Sequence, residues 1–455
     1  MHLNESIFRE YDIRGVVNLD FSKDVVENLG KAFGTYIIRK GGSKISVSRD
    51  IRESSPILKK YFINGILSTG VNIIDTGILP TPVNYYSMYY LNTDGAVQIT
   101  GSHNPKEYNG FKFSCMKESF YGEKIQLLKN LILDNDFENG SGNLKNQDIL
   151  NDYINMLCSK ININKKLNVI VDSGNACGCL TVPQTLKKLN VNVNELYCNI
   201  DSSFPNHHPD PTVDSNLEDI ISKIKNGEYD LGMAFDGDAD RIVVIDEKGG
   251  IIRSDNLISL FLPEVITSKN KKIIYDVKCS EALEKMIIKY GGEPIMWKTG
   301  HSLIKDKMKQ EKAIFAGEMS GHIFFADDYY GYDDALYVGL RLLQILSNTS
   351  LSLSELTKEI PKYHSTPEMR INCKDDNEKN IITEKAIEYF NGNYNCITID
   401  GVRIKFKNGW GLVRSSNTQP VIVCRFEANN ETDLDKMKNL VLSKLSEFGE
   451  LSYDE

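Results

Sequence analysis

The chain has 455 residues, of which 41% are hydrophobic and 25% are charged, and its formal net charge is −9 at pH 7. At about 150 residues per domain, this length predicts about three domains, each large enough to bury its own core. The composition excludes a wholly disordered chain, a collagen and a coiled coil. The negative charge argues against a general binder of nucleic acid or anionic membranes, but leaves room for a local basic pocket that takes a small anion.

The N-terminal residues and the cysteines indicate a cytoplasmic protein. Residues 1–15 carry charged and polar side chains without the apolar core of a signal peptide. The most apolar stretch, residues 257–266, is interrupted by Pro263 and Glu264 and is shorter than the roughly 20 residues of a membrane span. The nine cysteines are scattered at spacings that fit neither a redox nor a zinc motif, which favours reduced thiols.

Helix and strand patterns alternate over the first third of the chain. Ser22 and Asp24 precede apolar residues at helical spacing over residues 25–37, which predicts a capped helix. A second helix is predicted to begin near Ser55 and to end near Gly70. Strands are predicted at residues 44–48, 71–75 and 96–100. This alternation is typical of a mostly parallel sheet that is covered by helices.

A polar, Gly- and Asn-rich segment, residues 134–146, predicts a domain boundary, and further units follow it. The second unit is predicted to contain a helix at 147–161 and strands at 167–171, 229–235 and 242–245. The third is predicted to contain helices from 256, from 280 and over 333–346, a strand at 272–277 and a loop at 297–301. Beyond Pro361, strands at 396–399, 401–406 and 421–427 and a helix from Thr432 predict a smaller α+β domain.

The turn Asp236-Gly-Asp238-Ala-Asp240-Arg241 predicts a cation site. Three carboxylates on alternate residues of one loop can converge on a hard cation, Mg²⁺ or Ca²⁺, whereas zinc would favour His or Cys. Gly237 is expected to permit a tight turn. An EF-hand is disfavoured because Arg241 stands where that loop requires glycine. A solvated acidic turn that binds no metal is the alternative.

Four further segments carry polar groups suited to a phosphate or a sugar: FREYDIRG (8–15), TGSHNP (100–105), GEMSGH (317–322) and RSSNTQP (414–420). Ser102 follows a predicted strand, and its hydroxyl is expected to be exposed as a nucleophile or phosphoryl carrier. Ser102 and His103 are not expected to pair, because neighbouring side chains of extended backbone point apart. Each segment taken alone is also compatible with an ordinary turn.

Together, these five segments resemble the α-D-phosphohexomutase superfamily, and within it the bacterial phosphomannomutase/phosphoglucomutase group. They occur in the family's order and run from residue 8 to residue 420, so the resemblance covers nearly the whole chain. It implies three related α/β domains with mixed sheets, a smaller C-terminal α+β domain and an active site in the central cleft. The expected domains are residues 1–145, 146–252, 253–362 and 363–455, one more than the length alone suggests.

The resemblance also implies an activity. A phosphate on Ser102 would pass to the free hydroxyl of a mannose or glucose 1- or 6-phosphate, giving a hexose 1,6-bisphosphate that is both intermediate and activator. The sugar would then reorient and return its other phosphate to Ser102. One Mg²⁺ per chain would be held by Asp236, Asp238, Asp240 and an oxygen of phospho-Ser102. The expected partner is a small phosphosugar, with no nucleic acid or membrane, and the chain is expected to be a monomer or a weak homo-oligomer.

The resemblance assigns roles to further residues. Arg14, Lys112 and Lys278 would line the reacting phosphate and the substrate, with Arg241 beside them. Lys112 and His301, the latter in KTGHSLIK, are the candidates for acid/base work. The expected contacts to sugar hydroxyls come from Glu318 and Ser320. The residues expected to hold the phosphate that is not reacting are Arg414, Ser416, Asn417 and Thr418. The remaining substrate-binding candidates are Tyr11 and His322.

Other expectations concern specificity and movement. Met319 favours mannose and glucose over the glucosamine substrate of phosphoglucosamine mutases, which tend to carry Gln there. The alternatives are a phosphoglucosamine mutase and a metal-stabilised carbohydrate-binding protein without turnover. Ala239, where many family members have Gly, should be tolerated if its backbone φ is negative. The C-terminal domain is expected to rotate and close over the substrate, because its phosphate-binding loop lies beyond the boundary near residue 362.

Overall fold

The computed structural model describes residues 3–417, 419–449 and 452–453. The first domain is built on a mixed sheet in the order β1-β5-β4-β2-β3-β7, with β6 paired to β5. Its strands are β1 (Ile13–Val16), β2 (Lys44–Arg49), β3 (Asn72–Ile78), β4 (Gly95–Ile99), β5 (Tyr108–Cys115), β6 (Glu118–Ser119) and β7 (Leu144–Asn146). Its helices are α1 (Val17–Asp20), α2 (Lys23–Arg39), α3 (Ser55–Leu67), α4 (Thr81–Tyr90) and α5 (Glu123–Leu133).

The predicted helices and strands of this domain are present. The Ser22 side chain caps α2 by accepting the amide of Val25 at 3.4 Å, as predicted. The segment 134–146 is more than a boundary, because β7 lies within it and pairs in parallel with β3. All three residues of β7 are exposed, so no apolar pattern marks this edge strand in the sequence.

The second and third domains repeat a smaller version of the same arrangement. The second sheet has the order β12-β11-β10-β8-β9 and the third has the order β14-β13-β15-β16. The second domain contains α6 (Leu150–Lys160), β8 (Asn168–Asp172), α7 (Val182–Lys188), β9 (Asn192–Leu196), α8 (Glu218–Lys225), β10 (Leu231–Phe235), β11 (Ile242–Asp246) and β12 (Ile251–Ile252). The third contains α9 (Ser254–Val265), β13 (Lys272–Asp276), α10 (Glu281–Lys289), β14 (Glu293–Trp297), α11 (His301–Glu311), β15 (Phe315–Gly317), β16 (Ile323–Phe325), α12 (Ala335–Ser347) and α13 (Leu353–Leu356).

The fourth domain is an antiparallel sheet covered by helices α14 and α15. Its strand order is β19-β20-β21-β22-β18-β23, with β17 paired to β22. Its elements are β17 (His364–Ser365), β18 (Met369–Asn372), α14 (Asp376–Asn393), β19 (Asn395–Ile397), β20 (Val402–Phe406), β21 (Gly409–Ser415), β22 (Val421–Ala428), α15 (Glu431–Ser446) and β23 (Ser452–Tyr453). The predicted fold class, three related α/β domains and a smaller α+β domain, is confirmed.

The domains differ in how their apolar cores connect. The first domain has a core of its own around α2, α3 and α5. A second core runs continuously through the second and third domains and takes in Val83, Tyr85 and Tyr86 of α4. The fourth domain has a separate core, and a small cluster of Val277, Trp410 and Leu412 packs it against the third. None of the described helices is long and apolar enough to cross a membrane.

The sheet topology brings three of the predicted motifs to equivalent places. In each α/β domain one strand pairs in parallel on one side and antiparallel on the other: β4, β10 and β15. The connection that leaves this strand toward its antiparallel neighbour carries, in turn, TGSHNP, DGDADR and GEMSGH. The three loops are therefore the same structural position used three times, which is how residues far apart in sequence meet.

Candidate active site

Ser102 lies just beyond β4, where the first domain meets the second. Its hydroxyl donates to Oδ2 of Asp236 at 3.0 Å. Its amide donates to Oγ1 of Thr100 at 2.8 Å, and the guanidinium of Arg52 donates to its carbonyl oxygen at 2.9 Å. The prediction that the hydroxyl is exposed is wrong for this structure, because Ser102 is only 2% exposed. Contacts from both domains bury it.

The prediction that Ser102 and His103 do not pair is also wrong. Ser102 has a φ of +49°, in the left-handed region, so the two side chains do not diverge as they would on an extended strand. Oγ of Ser102 lies 3.2 Å from Nδ1 of His103. Burial, together with the positive charges of Arg241 and Arg14, lowers the pKa of His103 well below its usual value. The imidazole beside Ser102 is therefore neutral at neutral pH.

Asp236, Asp238 and Asp240 form a buried carboxylate triad in the turn after β10. All three are 0% exposed, and one oxygen from each lies within 4.8 Å of the others. Oδ1 of Asp236 accepts the amides of Asp240 and Arg241, both at 3.1 Å, which holds the turn closed. Burial and the charges of Asp240 and Asp238 raise the pKa of Asp236 well above its usual value. The alternative of a solvated acidic turn is wrong, because the carboxylates are buried.

The donor set of the triad fits a hard divalent cation. Oδ1 of Asp238 and Oδ1 of Asp240 are buried and have no hydrogen-bond partner in the part of the chain that the structure describes. Such oxygens need either a donor or a cation. Carboxylate and hydroxyl oxygens are the ligands that Mg²⁺ prefers, and the Ser102 hydroxyl stands beside Asp236. These residues therefore satisfy the chemistry of the predicted magnesium site.

Lys112 of β5 reaches the triad from the first domain. Its Nζ lies 2.8 Å from Oδ2 of Asp238 and 2.6 Å from Oδ2 of Asp240. Burial by itself would lower the pKa of Lys112, but the two carboxylates outweigh burial and raise it above the usual value. The side chain is therefore an ammonium ion that compensates the triad's negative charge, a role closer to electrostatic stabilisation than to that of a base.

Two residues of the turn over residues 236–241, Gly237 and Ala239, differ in backbone conformation from the sequence expectation. Gly237 does not have a positive φ; it is needed because a Cβ there would lie 2.3 Å from the carbonyl oxygen of Ser102. The Ser102 loop and the Asp236 turn can approach this closely only because residue 237 has no Cβ. Ala239 has a φ of +57°, so the condition for tolerating it, a negative φ, is not met. The turn holds this alanine in a strained left-handed conformation.

The third domain contributes the loop between β15 and β16. Glu318 is buried, and its Oε1 accepts the amide of Gly300 at 2.5 Å. Burial is the main cause that raises its pKa above the usual value. Met319 donates its amide to Oδ1 of Asp276 at 3.1 Å, while Ser320 is half-buried in the same turn. Glu318 and Ser320 thus sit on one loop beside the triad's domain.

A histidine pair and a third-domain carboxylate lie next to the triad. Nε2 of His322 accepts a hydrogen bond from Nε of Arg241 at 3.0 Å, and the His301 ring stacks on His322 with centroids 5.5 Å apart. Oδ2 of Asp333 lies 3.0 Å from Nδ1 of His322 and 3.6 Å from Nδ1 of His301, and its Oδ1 accepts from Lys305 at 2.9 Å. Burial and the charge of Lys305 lower the pKa of His301 well below its usual value.

Arg14 stands beside the Ser102 loop. Its Nη1 donates to Oδ1 of Asn104 at 3.1 Å, and its Nη2 is paired with Oδ2 of Asp12 at 2.5 Å. Its Nε is buried and has no hydrogen-bond partner among the described residues, as is also the case for Nη2 of Arg414. Donors of this kind are available to an anion such as phosphate.

The fourth domain meets the first through a chain of polar contacts. Nε of Arg414 donates to Oδ2 of Asp400 at 2.9 Å, and the same oxygen accepts the amide of Thr299 at 2.9 Å. The hydroxyl of Tyr11 donates to the carbonyl of Thr299 and accepts from the side-chain amide of Asn417. Tyr11 also packs edge-on against His301, with ring centroids 6.1 Å apart, so these contacts continue into the residues around the triad.

Lys278, Ser416 and Thr418 complete the predicted set. Nζ of Lys278, in the third domain, lies 3.1 Å from Oε2 of Glu368 in the fourth, so this lysine joins the two domains. Ser416 is buried, and its amide donates to the carbonyl of Val421 at 2.9 Å. Thr418 lies outside the described residues.

Four family models of known proteins match this chain over most of its length. The descriptions that match, in chain order, are phosphoglucomutase/phosphomannomutase alpha/beta/alpha domain I over residues 5–138, domain II over 151–250, domain III over 253–363 and the C-terminal domain over 368–443. The chain belongs to the phosphoglucomutase/phosphomannomutase family. The family resemblance seen in the sequence is thereby confirmed.

Individual family members are similar over nearly their whole length. A phosphomannomutase/phosphoglucomutase of Pseudomonas putida is 43% identical over 444 residues, which are 97% of this chain and 96% of the relative. A phosphoglucomutase of Neisseria meningitidis is 40% identical over 443 residues, 96% of each chain. The crystal structure of a phosphoglucomutase/phosphomannomutase family protein from Burkholderia thailandensis, 39% identical, superposes with a TM-score of 0.92, covering 99% of this chain and 100% of the other.

Three site residues of this family member were not predicted from the sequence. The extended backbone expected at Ser102 excludes His103 as its partner, and the helix predicted over residues 333–346 begins at Asp333. Asp334 is the residue that caps α12, with its side chain accepting the amide of Tyr337, which leaves Asp333 free to face the histidines. Thr81 donates to Oδ2 of Asp238 at 2.5 Å. The Asp333-Asp334 doublet is a usable signal in the sequence, because a helix needs only one capping side chain. No comparable signal in the sequence points to Thr81.

Proposed function

We propose that this family member is a phosphohexomutase that interconverts the 6- and 1-phosphates of mannose, glucose or both through a phosphate carried on Ser102. The observation that carries the proposal is the 3.0 Å contact between Oγ of Ser102 and Oδ2 of Asp236. This contact joins the Ser102 hydroxyl of the TGSHNP loop to a buried carboxylate triad. The names of the relatives support the same activity.

The metal of the proposed enzyme is one Mg²⁺ per chain. Asp236, Asp238 and Asp240, together with an oxygen on phospho-Ser102, would hold it. When bound, the ion would neutralise charge that develops on the transferring phosphoryl group. Three carboxylates carry about −3, so the ion and Arg241 would leave the site near neutral before a phosphate adds about −1.5 to −2. Lys112 and Arg14 supply further positive charge beside it.

In the first step, a hydroxyl oxygen of the bound hexose phosphate attacks phosphorus on Ser102. The new oxygen–phosphorus bond forms to the sugar, the bond to Oγ of Ser102 breaks, and the sugar hydroxyl gives up its proton. His301 is the base we favour of the two acid/base candidates, because its lowered pKa keeps it neutral. Lys112, an ammonium ion, would stabilise the negative charge on the leaving Oγ and supply the proton that Oγ takes up as its bond to phosphorus breaks.

The hexose 1,6-bisphosphate so formed would then turn round in the cleft. Glu318 and Ser320, with Lys278, Tyr11 and His322 nearby, would hold the sugar in both orientations, and the fourth domain's phosphate loop (residues 414–420) would hold whichever phosphate is not reacting. The buried, unpaired Nη2 of Arg414 supports that role within the described residues. The return transfer restores phospho-Ser102, so the bisphosphate also serves as an activator of dephosphorylated enzyme.

Coupled assays with mannose, glucose and glucosamine phosphates test this proposal. We expect the chain to isomerise the mannose or glucose phosphates. This isomerisation should be lost both in Ser102→Ala and on removal of Mg²⁺. Thr100→Ala is a matched control that keeps the Ser102 hydroxyl and should retain measurable turnover. Preference for glucosamine phosphates would instead indicate a phosphoglucosamine mutase, and sugar binding that persists without turnover would indicate a carbohydrate-binding protein.

The proposal includes a cytoplasmic location and a chain that acts as a monomer or weak homo-oligomer. All nine cysteines are free, which supports a reducing compartment. Size-exclusion chromatography with light scattering measures the oligomeric state directly.

A further inference from the structure

A cavity of about 300 Å³ lies between the first and third domains, beside α11. Its walls come from α4 and the β5–β6 turn of the first domain, and from α11 and the segment after β16 of the third. A neighbouring cavity of about 350 Å³ shares Glu118, Ser119, Lys305 and Lys309 with it, so the two form one groove. The volume is that of a pocket for a small organic ligand.

Four tyrosines form one wall of this cavity. The rings of Tyr330 and Tyr332 are nearly parallel, with an interplanar angle of 3° and centroids 5.7 Å apart. Tyr89 lies 4.4 Å from Tyr330, and Tyr85 lies 5.3 Å from Tyr332, both centroid to centroid. Such a wall offers aromatic, partly polar ring faces on which a planar aromatic group can stack.

The charged residues of the same cavity are mostly lysines. Lys117, Lys305, Lys309 and Lys312 line it, against the single acidic residue Glu118. The ion pair of Lys309 and Glu118, at 3.8 Å, lies between side chains that are more than half exposed, so it holds the lysine only weakly. Lys305 is compensated by the buried Asp333 at 2.9 Å, so Lys117, Lys309 and Lys312 against Glu118 leave a local excess of two positive charges, which favours an anion on a chain of net charge −9.

The turn that carries Lys117 is strained. Met116 and Lys117 form the two-residue turn between β5 and β6, with φ values of +53° and +59°. Turns of this type normally use Asn-Gly or another pair containing glycine. Nζ of Lys117 lies 5.1 Å from the centroid of the Tyr89 ring, at the cavity. Strained backbone persists where the surroundings enforce it, and it concentrates at ligand sites.

We propose that this cavity is a binding site for a nucleoside monophosphate, separate from the sugar-phosphate cleft. The base would stack on Tyr330 and Tyr89, and the phosphate would lie among Lys117, Lys309 and Lys312. One ring system and one phosphate match both the small volume and the pairing of an aromatic wall with a basic one. The site is independent of the proposed mutase activity, since neither Lys117 nor Lys312 belongs to the catalytic machinery.

Titration of the full chain with AMP, monitored by isothermal calorimetry, tests the proposal. Adenosine and inorganic phosphate serve as probes of each half of the ligand, and we expect AMP to bind at least tenfold more tightly than either. The K117Q/K312Q variant should lose at least tenfold in AMP affinity and keep its basal activity. The control K248Q/K436Q, which removes two exposed lysines elsewhere, should bind AMP as the unmodified chain does. Tyr330→Leu should weaken AMP and leave phosphate binding unchanged.

The same titrations can overturn the proposal. Absence of AMP binding at concentrations of about 1 mM would do so, because the affinity would then be too weak for a built site. Full competitive displacement of AMP by glucose 1-phosphate would place the nucleotide in the catalytic cleft instead. Equal AMP affinity in K117Q/K312Q and K248Q/K436Q would show that the cavity lysines are not used.

Discussion

Replacing Lys112 by Met should destabilise the metal-free protein strongly. The side chain is 6% exposed and its Nζ lies 2.8 and 2.6 Å from the carboxylates of Asp238 and Asp240, which are fully buried. Removing one partner of a buried ion pair costs about 3–5 kcal/mol, because the remaining charge is left uncompensated. Met preserves most of the volume, so the loss measures charge rather than packing. We therefore expect a loss of about 3–5 kcal/mol in EDTA.

The loss of stability caused by Lys112→Met should depend on pH and on Mg²⁺. Lys112 holds the pKa of Asp238 below its usual value despite burial, so without Lys112 this carboxylate can relieve the repulsion by taking up a proton. The stability difference between variant and unmodified protein should therefore grow as pH rises from about 5 to about 8. A bound divalent cation would replace the missing charge, so saturating Mg²⁺ should narrow the difference.

Differential scanning calorimetry of Lys112→Met in EDTA and in Mg²⁺, at several pH values, measures these effects. Lys60→Met, which removes an exposed lysine of α3 in the same domain, is the control and should change stability by less than about 0.5 kcal/mol. A Lys112→Met loss below about 1 kcal/mol in EDTA, or a loss that Mg²⁺ leaves unchanged, would refute the reasoning.

Two further predictions concern domain closure and pH. Arg9→Ala removes the contact at 2.9 Å between Arg9 and Asp376, one of the links from the first domain to the fourth. Small-angle scattering of this variant should show a less compact chain that contracts more than the unmodified chain when sugar phosphate is added. Identical scattering with and without the sugar phosphate would contradict domain closure. Burial lowers the pKa of His207, but its bond to Asp172 at 2.9 Å outweighs burial and raises it. The pair therefore stabilises the fold below about pH 6.5 and ceases to do so as pH rises through the raised pKa. His207→Gln should lower the melting temperature more at pH 5.5 than at pH 8.5, and an equal effect at both would contradict this.

Local patterns in the sequence predict several of the elements whose buried faces are apolar, although α5, which buries Ile125, Leu128, Leu131 and Ile132, is not among them. α2 is an example of a predicted element, with Ser22 as its cap and a continuous apolar stripe. The sequence pattern does not indicate α14, because the buried face of this helix carries both polar and apolar side chains. Its buried residues are Lys379, Ile382, Thr383, Ala386 and Phe390. Lys379 is buried there because its Nζ donates to the carbonyl oxygens of Ser416 and Gln419 in the phosphate loop, a contact that no helical period encodes.

Within the candidate site, chemistry was predictable and backbone conformation was not. The alternating carboxylates of Asp236, Asp238 and Asp240 indicated a cation site from residue type alone. The left-handed φ of Ser102 depends on contacts from Arg52 and on the approach of Gly237, which come together only in the folded chain. That conformation decides whether the Ser102 hydroxyl contacts the His103 ring, so the adjacency of the two residues in the sequence does not predict the contact.

Intact-mass spectrometry of freshly purified protein, with the modified residue mapped by fragmentation, tests the central claim most directly. We predict one added phosphate per chain, located on Ser102, absent from Ser102→Ala and transferred to sugar on incubation with hexose phosphate and Mg²⁺. An unphosphorylated chain together with full isomerase activity in Ser102→Ala would contradict the account.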